Sequence, residues 1–136
     1  MENKRILIVD DKYGIRLLLS EVFNNEGYQV FQAANGRTAI EIARNEKPDI
    51  VILDMKIPGM DGLEILRNIR TFDSGMKVVM MTAYGELDML EEAFEFGVLK
   101  HFIKPFNIND LKIAIREIFQ LELENQDNRD EKAMGI

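Results

Sequence analysis

Along this chain, short runs of branched apolar residues alternate with segments whose apolar residues recur every three or four positions. Arg5 to Asp10 (RILIVD) predicts a strand buried on both faces, and Tyr13 to Asn25 predicts a helix closed by Gly27. Tyr28 to Ala33 predicts a second strand, followed by the turn pair Asn35-Gly36. Arg37 to Asn45 predicts a helix that stops before Lys47-Pro48, since proline cannot continue it. Ile50 to Asp54 is the third strand and Leu63 to Arg70 a short helix. Lys77 to Thr82 is the fourth strand, Glu86 to Phe96 a helix with Gly97 at its C′ position, and Lys100 to Ile103 a brief fifth strand. A last helix starts after Asn107, with Asp110 well placed in its first turn.

This alternation of strand and helix with short connections predicts an α/β fold: a doubly wound, five-stranded parallel sheet covered by five helices. Right-handed crossovers leave few topologies, and the strand order 2-1-3-4-5 of flavodoxin-like folds fits this pattern. Residues 1–121 form one domain on this reading. Residues 122–136 lack apolar periodicity and read as a frayed helix extension with a disordered tail.

Composition adds exclusions. The 136 residues suffice for one core, and 46% hydrophobic with 30% charged residues is ordinary for a soluble globular protein. With no cysteine, there is no disulfide and no thiolate metal site. The net charge of −7 argues against broad nucleic-acid binding. No apolar run approaches the length of a membrane span, and MENKRILIVDD lacks the apolar core of a signal peptide. The expected location is therefore the cytoplasm, away from membranes.

The chemistry lies at the strand ends. Open α/β sheets bind ligands beyond the carboxyl ends of their strands, where the strand order reverses. Here the point of reversal falls between strands one and three, which end in Asp10-Asp11 and Asp54. A single Asp often only starts a turn or caps a helix. Three converging carboxylates repel unless something compensates, and a hard divalent cation such as Mg²⁺ does so while leaving room for a phosphate oxygen. Strand four ends in the hydroxyl of Thr82, and strand five runs into Lys104-Pro105. A carboxylate nucleophile, a metal, a hydroxyl and an ammonium are the parts needed to move a phosphoryl group onto Asp.

In this order, VDD at 9–11, LDMKIPGMDG at 53–62, MTAYG at 81–85 and KPF at 104–106 resemble the receiver domain of two-component response regulators, over residues 4 to about 121. The resemblance implies that Asp54 is the phosphoacceptor, with Asp10, Asp11, Asp54 and the main-chain carbonyl of Lys56 holding Mg²⁺ (Mn²⁺ or Ca²⁺ can substitute in a crystal). It implies that Thr82 and Lys104 bind the phosphoryl oxygens, and that the Lys104-Pro105 bond is cis. With YGIR after the acid pair, MTAYGELDM, and a His three residues before the site lysine, the chain resembles more closely the single-domain receivers of sporulation phosphorelays. Such a protein takes phosphate from sensor histidine kinases and passes it to a four-helix-bundle histidine phosphotransferase. It is not an enzyme in its own right, but assists its own Mg-dependent phosphotransfer and slow self-dephosphorylation. Phosphatases are further possible partners, and the expected state is a monomer or weak dimer.

His101 stands where receivers commonly carry Tyr or Phe as a rotamer switch; a lone His is more often a packing residue, and signalling by direct docking is expected. By the resemblance, Lys56 and Tyr84 border the path of attacking water and tune dephosphorylation. In the first helix, Ile15, Leu18, Leu19, Val22 and Phe23 share a wide apolar stripe, whereas periodicity alone nominates Leu17 as the exposed residue. The resemblance assigns partner docking to Gly14, Ile15, Leu18, Tyr84, His101, Pro105 and Phe106. Leu19, Val22 and Phe23 are expected in the core.

Three other readings compete. A haloacid-dehalogenase-type phosphohydrolase needs an acid two residues after its nucleophile, but Lys12, Tyr13 and Lys56 follow Asp10, Asp11 and Asp54 at that spacing. A flavodoxin-like FMN binder needs a phosphate-cradling loop after strand one, where Asp10-Asp11 would repel phosphate. A chemotaxis-type receiver that binds a target when phosphorylated is the alternative within the family.

Overall fold

The structure is a computed structural model that describes residues 3–133 and 135; the side chains of Tyr84 and of 130–133 lie outside the described residues. Two units make up the chain, residues 1–105 and 106–136. The first contains the whole sheet: β1 (Arg5–Val9), β2 (Gln29–Ala33), β3 (Ile50–Asp54), β4 (Lys77–Thr82) and β5 (Lys100–Ile103). All pairings are parallel, and the order is β2-β1-β3-β4-β5, as the alternating pattern predicts. Between the strands run α1 (Tyr13–Asn25), α2 (Gly36–Glu46), α3 (Gly62–Phe72) and α4 (Leu90–Glu95); the second unit is α5 (Ile108–Ala133).

The period of two along the strands divides the apolar residues between the two faces of the sheet. Leu7, Val9, Val51, Leu53, Val78 and Met80 form one core with Leu66 and Ile69 of α3 and Ala93 of α4. Ile6, Ile8, Ile50, Ile52, Val79 and Met81 point to the opposite face, and α1 buries Leu19 and Phe23 completely. Every residue of β3 is buried, so burial of each of its branched side chains contributes about 1.5–3 kcal/mol.

Helix ends follow the sequence signals. Gly27 and Gly97 carry φ of +94° and +87° after α1 and α4, where a side chain would be strained. Asn35 caps α2 by accepting from the Thr38 N–H, and Asn107 accepts from the N–H groups of Asn109 and Asp110 at the start of α5.

Three details differ from the sequence reading. Asp10 lies one residue beyond β1. The segment predicted as one helix from Glu86 to Phe96 is a 3-10 turn, Tyr84–Met89, followed by the six-residue α4. The stretch after residue 121, read as frayed helix and disordered tail, is helical as far as Ala133. It is rich in Glu, Gln, Lys and Arg, which are good helix formers, and neither Gly nor Pro occurs before Gly135.

Candidate functional site

Strand register brings the acids together. Val9 pairs with Leu53, so Asp10 follows alongside Asp54, and Asp54 in turn pairs with Met81. Thr82 pairs with Ile103, and the next residue, Lys104, donates its N–H to the Thr82 carbonyl at 2.7 Å. Chemistry-bearing residues from β1, β3, β4 and β5 thus meet at one edge, in an open cleft of about 410 Å³ lined by Asp11, Asp54, Lys56, Ala83, Glu86 and Lys104.

The loop after β3 fixes the position of Asp54. Gly59 turns the chain at φ +88°. Asp61 caps α3 by accepting from the Glu64 N–H at 2.9 Å. Gly62 lies so close beneath the strand end that a Cβ there would come within 2.5 Å of the Asp54 carbonyl oxygen and 2.8 Å of Met55 Cα. Its N–H donates to the Met55 carbonyl at 2.6 Å, while the Met55 N–H continues the ladder to Met81. A strand buried on both faces followed by this clamp leaves the Asp54 side chain little freedom; the residue is 3% exposed.

Around it, charge is only partly balanced. Carboxylate oxygens of Asp10, Asp11 and Asp54 lie within 4.8 Å of one another. Asp10 is fully buried; it accepts from the Lys12 N–H at 2.8 Å and from the Lys104 ammonium at 3.1 Å. The same ammonium forms an ion pair with Asp54 Oδ2 at 3.2 Å, and no other donor among the described residues reaches that oxygen. Asp54 Oδ1 receives only a long contact, 3.4 Å, from the Lys56 N–H. Burial first, and the Asp10 charge second, raise the Asp54 pKa above its ordinary value, and Lys104 only partly offsets them. For Lys104, burial works to lower the pKa, but Asp54 and Asp10 outweigh it and raise it.

Three carboxylates, with the Lys104 ammonium between Asp10 and Asp54 and the Lys12 ammonium 3.7 Å from Asp11, form an all-oxygen donor set that suits a hard divalent cation. The Thr82 hydroxyl is fully buried at the end of β4 and has no hydrogen-bond partner among the described residues. Buried hydroxyls are seldom left this way, which marks it as a group awaiting an acceptor.

The response regulator receiver domain family matches residues 6–116. The chain belongs to the response regulator receiver family. Sporulation initiation phosphotransferase F of Bacillus subtilis (strain 168) is 57% identical to this receiver over 122 residues, which cover 90% of this chain and 98% of that one. Chemotaxis protein CheY of Thermotoga maritima is 34% identical over 116 residues, covering 85% and 97% of the two chains. Among solved structures, a CheY-like receiver domain protein from Methanospirillum hungatei JF-1 superposes with a TM-score of 0.86 at 31% identity, covering 91% of this receiver and 99% of that chain.

The residues singled out for partner docking are more scattered in character. Gly14 and Pro105 are exposed and Ile15 is half-buried. Leu18 is 45% exposed, but so is Leu17 at 42%, and both nominations for the open face of α1 therefore reach solvent. His101 is half-buried on β5 and packs edge-to-face on Phe94 at 5.7 Å, as a packing residue does. Phe106 opens the second unit, and the Tyr84 side chain lies outside the described residues. The Lys104-Pro105 bond is cis.

Two contacts at this edge escaped the sequence reading. Arg16 donates to the Asp10 carbonyl at 2.9 Å, and the buried Glu86 carboxylate accepts from the Ala83 N–H at 2.6 Å. The spacing of Glu86, three residues after Ala83, is that of a capping box without the hydroxyl, a signal too weak to act on alone.

Proposed function

We propose that this receiver is a phosphoryl carrier of the sporulation-relay type, in the cytoplasm, taking a phosphoryl group from a sensor histidine kinase onto Asp54 and handing it to a histidine phosphotransferase. The observation that carries this is the buried Asp54 carboxylate held at the sheet edge by an ion pair with the Lys104 ammonium, close to the Asp10 and Asp11 carboxylates. The 57% identity to a sporulation initiation phosphotransferase supports the relay form of the reading.

In the first transfer an Asp54 oxygen attacks the phosphorus of a phosphohistidine. The new P–O bond forms as the P–N bond breaks, and the leaving imidazole keeps the electron pair and takes a proton from solvent. In the second transfer a neutral imidazole nitrogen attacks phosphorus; the new P–N bond forms as the Asp54 O–P bond breaks, the carboxylate leaves with the electron pair, and the proton on the other ring nitrogen goes to solvent. Lys104 offsets charge on the phosphoryl oxygens, and the Thr82 hydroxyl donates to one of them. Asp10, Asp11, Asp54 and the Lys56 carbonyl would hold Mg²⁺, which when bound supplies further charge neutralisation. Gly14, Ile15, Leu18 and Pro105, close in sequence to the cleft residues Lys12 and Lys104, would be met by the kinase, by the four-helix-bundle acceptor and by a phosphatase draining the relay.

Lys56 is exposed at the cleft mouth, where its stem can deny water a line to the acyl phosphate. Lys56→Asn is expected to speed hydrolysis several-fold; an unchanged rate removes this role. The central test incubates wild type and Asp54→Ala with Mg²⁺ and a small acyl phosphate, reads intact masses, then adds a histidine phosphotransferase. A phosphoryl adduct on wild type alone that moves to the histidine is the expected result. An adduct that stays put favours a target-binding receiver of the chemotaxis type, and no adduct sinks the phosphoacceptor reading.

A further inference from the structure

Several of the donors that the strand ends offer an arriving anion are already engaged. Thr82 offers its hydroxyl, and Lys104 is shared between Asp10 and Asp54. The Lys56 N–H makes only a long contact with Asp54. The next main-chain donor, the N–H of Ala83, directly follows Thr82, and the Glu86 carboxylate occupies it at 2.6 Å. Glu86 is 8% exposed and lines the cleft together with Asp54 and Lys104. A buried carboxylate with no cation partner among the described residues needs a reason at such a place, since burial of charge costs free energy. Its one described hydrogen bond folds the start of the 3-10 turn Tyr84–Met89 back onto the end of β4.

We propose that Glu86 is an internal competitor for the phosphoryl group. Resting on the phosphoacceptor reading of Asp54, the inference is that the Glu86 carboxylate holds the Ala83 N–H while Asp54 is free. A phosphoryl oxygen takes over that N–H when the anion arrives. Two effects act in the same direction. The incoming oxygens must displace an existing charge-assisted hydrogen bond, and they must do so beside a like charge. Release of Glu86 then frees the Tyr84–Met89 turn from its tie to β4.

The test titrates wild type, Glu86→Gln and Glu86→Ala with beryllofluoride in excess Mg²⁺, following amide resonances by NMR. Gln keeps the shape and an acceptor without the charge, so it guards against a loop that collapses in the Ala variant. The expected result is binding about tenfold tighter in Glu86→Ala, with Glu86→Gln in between. The Ala83 amide resonance should move on binding in wild type and start displaced in Glu86→Ala. Equal affinities, or weaker binding in both variants, overturn the competitor role while leaving the phosphoacceptor reading intact. An Ala83 resonance in wild type that ignores the ligand does the same. Failure of wild type itself to bind overturns that reading, and this inference with it.

Discussion

Asp54 carries an unfavourable charge in the metal-free protein. Burial and Asp10 raise its folded-state pKa above 3.8, so the folded state binds its proton more tightly than the unfolded chain does. Stability then falls as pH rises through the raised value, and the full cost is present above it. Asp54→Asn removes that cost while leaving Lys104 its hydrogen bond to Asp10. In chelator-treated protein the substitution should stabilise the fold by about 1 kcal/mol at neutral pH, as read by urea denaturation. The gain should shrink as the pH is lowered towards 3.8. A loss of stability at neutral pH would mean that the Lys104 pair outweighs burial and repulsion.

At the scale of elements, the loop between β3 and α3 holds the acid in place. Gly62 has no room for a methyl group, because the atoms in the way are backbone atoms of Asp54 and Met55. Gly62→Ala should therefore cost roughly 2–3 kcal/mol, measured by denaturant unfolding, whereas Gly14→Ala, in α1 and facing open space, should stabilise the fold by up to about 1 kcal/mol. Part of this loop follows from residue type alone, since Pro58-Gly59 favours a turn and Asp is a common cap residue. The need for glycine at 62 was not legible, since it arises from the approach of α3 to the strand. The same division holds across the sheet. Strands β1, β3 and β4 could be read from their apolar runs because nearly all of their residues are buried. The 3-10 turn before α4 was hidden, because Leu87, Leu90 and Phe94 recur at a spacing that suits one continuous helix. Glu86 was hidden for the same reason as Gly62: its partner is a backbone N–H that only the folded turn presents.

For the molecule as a whole, the acid cluster couples ion binding to folding. An ion that binds the folded state alone adds about 1.4 kcal/mol of stability at roughly ten times its Kd. Thermal melts with and without Mg²⁺ should show this rise in wild type and lose it in Asp11→Ala; an equal rise in both would place the ion elsewhere. No helix among the described residues is long and apolar enough to cross a membrane.

The complete burial of β3 has one more consequence. A central strand with neighbours on both sides cannot fray by itself, so its amides exchange with solvent only when the sheet opens globally. Native-state hydrogen exchange should find the Leu53 and Asp54 amides among the slowest in the chain, with an opening free energy equal to that of unfolding. Those of edge strand β5 should exchange sooner. The acid and its surroundings then lack a separate lifetime, and any substitution that erodes global stability, however far from the cleft, shortens the interval over which Asp54 is held in place.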